Sequence, residues 1–67
     1  MAKRKSAVKR YTASEIKAVR ERLGLTQAEA AEKVEVTQGE WSAWELGKRN
    51  PSRQSRLLIK LLEEKNL

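Results

Sequence analysis

TQAEAAEKVEVTQGEWSAWE, residues 26–45, decides how this chain folds. Thr26 is followed three residues on by Glu29, and Thr37 by Glu40. A threonine with a glutamate at that spacing is a capping box, in which each side chain satisfies the other's backbone N–H at a helix start. The two starts stand eleven residues apart. That interval holds about two turns of helix and a tight corner of three or four residues.

The flanks set the frame for this pair. The chain has 67 residues, enough for one small domain with a modest core. It contains no cysteine and no histidine. Disulfides, thiolate or imidazole metal sites and histidine acid–base catalysis are therefore excluded, and no cluster of carboxylates, lysines or hydroxyls stands out to replace them. No enzyme activity, cofactor or metal is expected. No apolar run is long enough to span a bilayer and no signal-peptide core follows the basic start, so the expected location is the cytoplasm, with no membrane partner.

The net charge of +6 is unevenly spread. Residues 1–10 carry +5, residues 11–47 carry −3 and residues 48–67 carry +4. An acidic middle between basic segments suits a polyanion, because each lysine or arginine at a phosphate releases counterions. Basic ends that only keep a small protein soluble are the other reading of the same charges. Residues 1–11 read as a flexible basic arm and residues 12–67 as the folded domain. Within the arm, Lys3, Arg4 and Lys5 are expected to track DNA phosphates.

Helix 1 is expected from Thr12–Ser14, with Ser14 as its cap. Ile16, Val19 and Leu23 form its buried stripe, Ala18 adds small packing surface, and Gly24 ends it. Tyr11 either folds back on this helix or meets a phosphate. In helix 2, Ala30, Ala31 and Val34 are apolar, and the small alanines let another helix cross closely. Leu25 and Val36 enter the core from the turns. Helix 3 spans about Gln38 to Leu46, with Trp41 and Trp44 on one face and Gln38, Gly39, Ser42 and Ala43 on the other. Gly47 stops it. Helix 4 starts after Pro51 and Ser52 and runs to about Lys65. Its apolar set is wider than one stripe needs, so the surplus, Leu58, Ile59 and Leu62, is read as a dimer contact.

Two short helices with this corner have the size of a helix-turn-helix, whose second helix enters the DNA major groove. The run LGLTQAEAAEKVEVTQGEWSAWELGKRNPS, residues 23–52, resembles the Cro and phage-repressor (XRE) helix-turn-helix family. The resemblance rests on Leu23-Gly24-Leu25-Thr26-Gln27, on Ala30-Ala31, on Val36-Thr37-Gln38 and on Trp44-Glu45-Leu46-Gly47-Lys48-Arg49-Asn50-Pro51-Ser52. It implies a compact all-α bundle of four, at most five, short helices that binds double-stranded operator DNA as a homodimer.

The resemblance also implies roles. Gln38 is the first base-reading residue, and a glutamine pairs bidentately with adenine. Gly39, Ser42 and Ala43 are further groove-facing positions. Gln27 contacts a phosphate and buttresses helix 3. Thr37, Lys48, Arg49 and Arg53 contact phosphates, with Lys48 and Arg49 weighted alike. Arg20 and Glu45 tie helix 1 to helix 3. Four positions depart from the family pattern. Glu35 stands where the turn between helices 2 and 3 has glycine, so that turn is expected to depart from the common geometry. Trp41 replaces a smaller aliphatic residue, offset by the small Ala30. Gly39 and Ala43 replace polar residues. That shifts weight towards close backbone approach, thymine-methyl contact and DNA shape. Glu40 near the groove repels phosphate unless it caps the helix or accepts from a cytosine.

The expected function is a phage or bacterial transcriptional repressor or autoregulator on a palindromic operator. Small stand-alone relatives of this kind include antitoxins and autorepressors of anti-CRISPR operons. The alternative is an antitoxin-like interaction module whose main partner is a toxin or other protein, contacted through an exposed Trp41 and the surplus leucines of helix 4.

Overall fold

Each helix of the chain starts where a hydroxyl side chain accepts a backbone N–H. The computed structural model describes residues 9–65. Thr12, Thr26, Thr37 and Ser52 precede α1 (Ala13–Arg22), α2 (Gln27–Lys33), α3 (Gln38–Leu46) and α4 (Arg53–Lys65). The expected contacts of Lys3, Arg4 and Lys5 lie outside the described residues. Among the described residues there is no strand, no fifth helix, and no helix long and apolar enough to cross a membrane.

The cap of α1 is Thr12 and not Ser14. Thr12 Oγ1 accepts the Glu15 N–H at 3.1 Å and Glu15 Oε1 accepts the Thr12 N–H at 2.9 Å. Ser14 has Lys17 at the matching position, which has no acceptor to return. Thr26 and Glu29 form the second box with the same two distances.

The three N-terminal helices also end alike. Gly24, Glu35 and Gly47 all take positive φ, at 71°, 63° and 77°. Their N–H groups reach back to Glu21, Glu32 and Trp44, and the next residues, Leu25, Val36 and Lys48, reach the carbonyls of Arg20, Ala31 and Ala43. This is the Schellman closure, which satisfies carbonyls that a helix end leaves orphaned. The turn between α2 and α3 therefore keeps the common geometry despite lacking glycine, contrary to the expectation, and Glu35 carries the strain. A side chain in the left-handed region costs about 1–2 kcal/mol, less the entropy that glycine would lose on folding. Glu35→Gly is expected to stabilise the domain by roughly 1 kcal/mol, raising Tm by about 4–8 °C. A lower Tm in thermal unfolding would mean that the Glu35 side chain makes a contribution larger than its strain.

The core is built from Tyr11, Ile16, Val19, Ala30, Ala31, Val34, Trp41, Trp44 and Ile59, with Leu23, Leu25, Val36, Leu58 and Leu62 packed around it. Ala30 and Trp41 are both fully buried. Ala18, expected to pack, is exposed. Tyr11 precedes the cap of α1 and packs in the same core as Ile16 of its first turn, as a hydrophobic staple does. Its hydroxyl donates to Glu63 of α4 at 2.6 Å. Burial, and then this carboxylate, push that hydroxyl's pKa up. Arg22 holds the other Glu63 oxygen at 2.7 Å, so both ends of α1 are tied to the last turns of α4.

Candidate nucleic-acid interface

The two tryptophans orient α3. At about 100° per residue, Gln38, Gly39, Ser42 and Ala43 fall within an arc of about 140°, and Trp41 and Trp44 lie opposite it. Trp41 is 0 % and Trp44 1 % exposed. Their rings stand 5.4 Å apart at 51°, within the range of favourable tilted aromatic pairs. On the outer face Gln38 and Gly39 are exposed and Ser42 and Ala43 half-buried. The alternative reading drew on an exposed Trp41 as well as on the leucines of α4, and the burial of Trp41 removes the first of these contacts.

Gly39 has no internal reason to be glycine. A Cβ placed there would meet only Thr37 Oγ1, at 3.9 Å, an ordinary contact. Glycine weakens a helix relative to alanine, so the position gives up stability without a packing return.

Glu45 is the anchor that holds this face in place. Its carboxylate accepts from Arg20 Nε at 2.5 Å and Nη2 at 3.1 Å, from Trp41 Nε1 at 2.5 Å and from Gln27 Nε2 at 3.1 Å. Arg20 also donates to the Leu25 carbonyl at 3.2 Å. One carboxylate thus joins α1, the first residue of α2 and the last turn of α3. Its side chain is 6 % exposed and that of Arg20 16 %. Burial pushes the Glu45 carboxyl up, but the hydrogen bonds from Arg20, Trp41 and Gln27 outweigh it and hold the group below its ordinary value. Gln27 spends one amide hydrogen on Glu45, and its amide carries a second.

At the N-terminus of α3 the second expected capping box is half made. Thr37 Oγ1 accepts the Glu40 N–H at 3.1 Å, but Glu40 does not reach back. Its Oε2 accepts from Trp44 Nε1 at 3.0 Å and from Arg49 Nε at 3.2 Å. Trp44, four residues on, lies on the same side of the helix as Glu40 and draws the carboxylate away from the cap. Glu40 therefore has a third role that neither expectation named, as the partner of Trp44 and Arg49. The i, i+4 spacing of Glu40 to Trp44, and of Trp41 to Glu45, was the readable signal for both bonds.

The basic residues beyond α3 are not equivalent. Arg49 pairs with Glu40, whereas Lys48 is exposed and has no ion-pair partner among the described residues. Arg53, the first residue of α4, is exposed with no carboxylate partner among them either. The expected dimer set needs correction. Ile59 is 0 % exposed and belongs to the domain's own core. Leu58 and Leu62 are half-buried against that core, and Leu61, outside the expected set, is 51 % exposed. The apolar residues of α4 occupy nearly every position from 57 to 62, so the sequence left its rotation open, and packing turned Ile59 inward.

Residues 16–64 match the family model described as helix-turn-helix. No curated protein and no solved structure gives a significant match to the chain.

Proposed function

Because the chain belongs to the helix-turn-helix family of the Cro and phage-repressor (XRE) type, whose members bind DNA sequence-specifically and regulate transcription, we propose that it is a repressor that acts as a homodimer on a palindromic operator. In this reading α3 lies in the major groove and half-sites are about 34–36 Å apart. The observation that carries it is the outer face of α3: exposed Gln38 and an unneeded glycine at Gly39, backed by two buried tryptophans and locked by Glu45. Gln38 pairs with adenine, Gly39 admits the DNA backbone or a base edge, and Ala43 meets a thymine methyl. Lys48, Arg53, Thr37 and Gln27 take phosphates. Arg49 contributes less than Lys48, because it must leave Glu40 to do so. Leu58, Leu61 and Leu62 supply the dimer contact. Its proposed target is its own operon, in a bacterial or phage-infected cytoplasm.

The test is a binding titration on the DNA upstream of the protein's own gene, repeated at several salt concentrations. Gln38→Ala is expected to lose about 1–3 kcal/mol of specific binding and to relax one base position. Lys48→Ala weakens all DNA equally and flattens the salt slope by about one. Gly39→Ala raises thermal stability but weakens operator binding. An operator bound equally well by the Gln38 and Gly39 variants would show that another surface reads the DNA.

A further inference from the structure

Arginines in this domain fall into two groups. Arg20, Arg22 and Arg49 each face a glutamate, Glu45, Glu63 and Glu40 respectively. Arg10, Arg53 and Arg56 face none among the described residues, and two of these, Arg10 and Arg56, line the same cavity. This cavity, of about 290 Å³, is completed by Tyr11, Thr12, Asn50 and Pro51. No acidic residue borders it. Two carboxylates bond residues of its lining and are already engaged, Glu63 by Tyr11 and Arg22 and Glu15 by Thr12 and Lys9.

Arg56 is fixed but not satisfied. Its Nη1 donates to the Pro51 carbonyl at 3.2 Å, which holds the guanidinium against the loop between α3 and α4. Its Nε is buried and, among the described residues, is the one buried side-chain donor or acceptor with no partner. A charged buried donor without an acceptor is costly, so the guanidinium keeps unused donor capacity beside the cavity. Guanidiniums match the oxygens of phosphate by their fork geometry. Asn50 adds an exposed amide and directly follows Lys48 and Arg49 in the chain.

We propose that the cavity between Arg10, Asn50 and Arg56 is a phosphate site, and that in the DNA complex it takes one backbone phosphate beyond those reached by Lys48 and Arg49. The DNA part of this inference rests on the function proposed above, and the phosphate part stands apart from it. The cavity extends the protein's phosphate contacts from the loop after α3 to the residue that enters α1. Arg10 is exposed and supplies charge, whereas Arg56, pinned by Pro51, supplies direction.

The experiment uses the full ¹⁵N-labelled chain and follows the Arg10 and Arg56 Nε–Hε signals. Three titrants are compared at equal ionic strength: inorganic phosphate, sodium chloride, and a duplex of arbitrary sequence of about 20 base pairs, long enough for several phosphate contacts. Both signals are expected to move with phosphate and with the duplex but not with chloride. An equal response to chloride would reduce the cavity to an unspecific counterion site and overturn the proposal. So would a duplex that shifts Lys48 and Arg49 but leaves Arg10 and Arg56 unmoved, since the DNA then passes the cavity by. If the duplex shifts none of these residues, the proposed function fails, and the phosphate titration alone decides the cavity.

Affinity gives the second measurement. The double variant Arg10→Gln with Arg56→Gln should flatten the dependence of log K on log salt by about 0.9, and each single variant by less, because the remaining arginine still holds the shared phosphate. A double variant with twice that loss would place the two arginines on separate phosphates and overturn the single site. Thermal unfolding of Arg56→Gln separates loss of the Pro51 contact from loss of the anion.

Discussion

Glu45→Ala is expected to leave the domain barely folded at room temperature. The substitution strips the acceptor from a mostly buried Arg20 and from Trp41 Nε1, and releases Gln27. Removing one partner of a buried charge pair costs about 3–5 kcal/mol, because the other charge stays desolvated. A chain of this length has a total stability of roughly 3–10 kcal/mol. Circular dichroism should therefore show a loss of at least about 12 °C in Tm, or no cooperative transition. A Tm within a few degrees of the parent would mean that Arg20 finds another acceptor and that Glu45 is not the anchor. Acid supplies an independent check. The folded carboxyl is held below its ordinary value of 4.5, so its stabilising contribution is present above that value and is lost as pH falls through the lower, folded one. Stability should decline from about pH 4.5 downwards, and a variant lacking Glu45 should show a shallower decline over that window.

The anchor also explains why part of this architecture was readable and part was not. Helix starts at Thr26 and Thr37 and helix ends at Gly24 and Gly47 are local chemistry, and local chemistry is written in adjacent residues. The tryptophans three apart were enough to orient α3, and hence to pick out Gln38 and Gly39. Competition was the harder matter. Thr12 beat Ser14 because only Thr12 has a glutamate at the returning position. Glu40 abandoned its cap because Trp44 and Arg49 offered better donors, and Arg49 is distant enough in sequence that nothing local announces it. Glu35 accepted positive φ because the corner between α2 and α3 had to close for Val36 to reach the core, a tertiary demand that overrides one residue's preference. The rotation of α4 was undetermined for the opposite reason: five apolar residues in six positions satisfy almost any rotation. The cavity at Arg10 and Arg56 joins residues from the two ends of the domain, which no spacing rule connects.

Trp41 is where fold and site are bound most tightly, and Trp41→Ala is expected to be as damaging as loss of Glu45. Truncating a buried tryptophan costs about 3–5 kcal/mol in transfer and cavity terms. It also removes the donor at 2.5 Å from Glu45. Trp41→Phe narrows the comparison, keeping most of the volume while losing the N–H and the ring carbons beside it. Its cost should be the smaller one, about 1.5–3 kcal/mol for a hydrogen bond to a charged group. Ala30 is the complementary probe. Ala30 and Trp41 are both fully buried in one core, so the small residue on α2 is read as making room for the large one on α3. Ala30→Leu alone should overpack and cost about 1–3 kcal/mol, and Trp41→Leu alone should leave a void. Combined, the two should cost clearly less than their sum, with a coupling of about 0.5–3 kcal/mol from thermal or denaturant unfolding. Strict additivity would show that the two volumes are not traded against each other. A restored fold in the double variant has a further use: it returns α3 to its bed without the Trp41–Glu45 bond. DNA affinity then reports how much of the placement of α3 depends on that single donor.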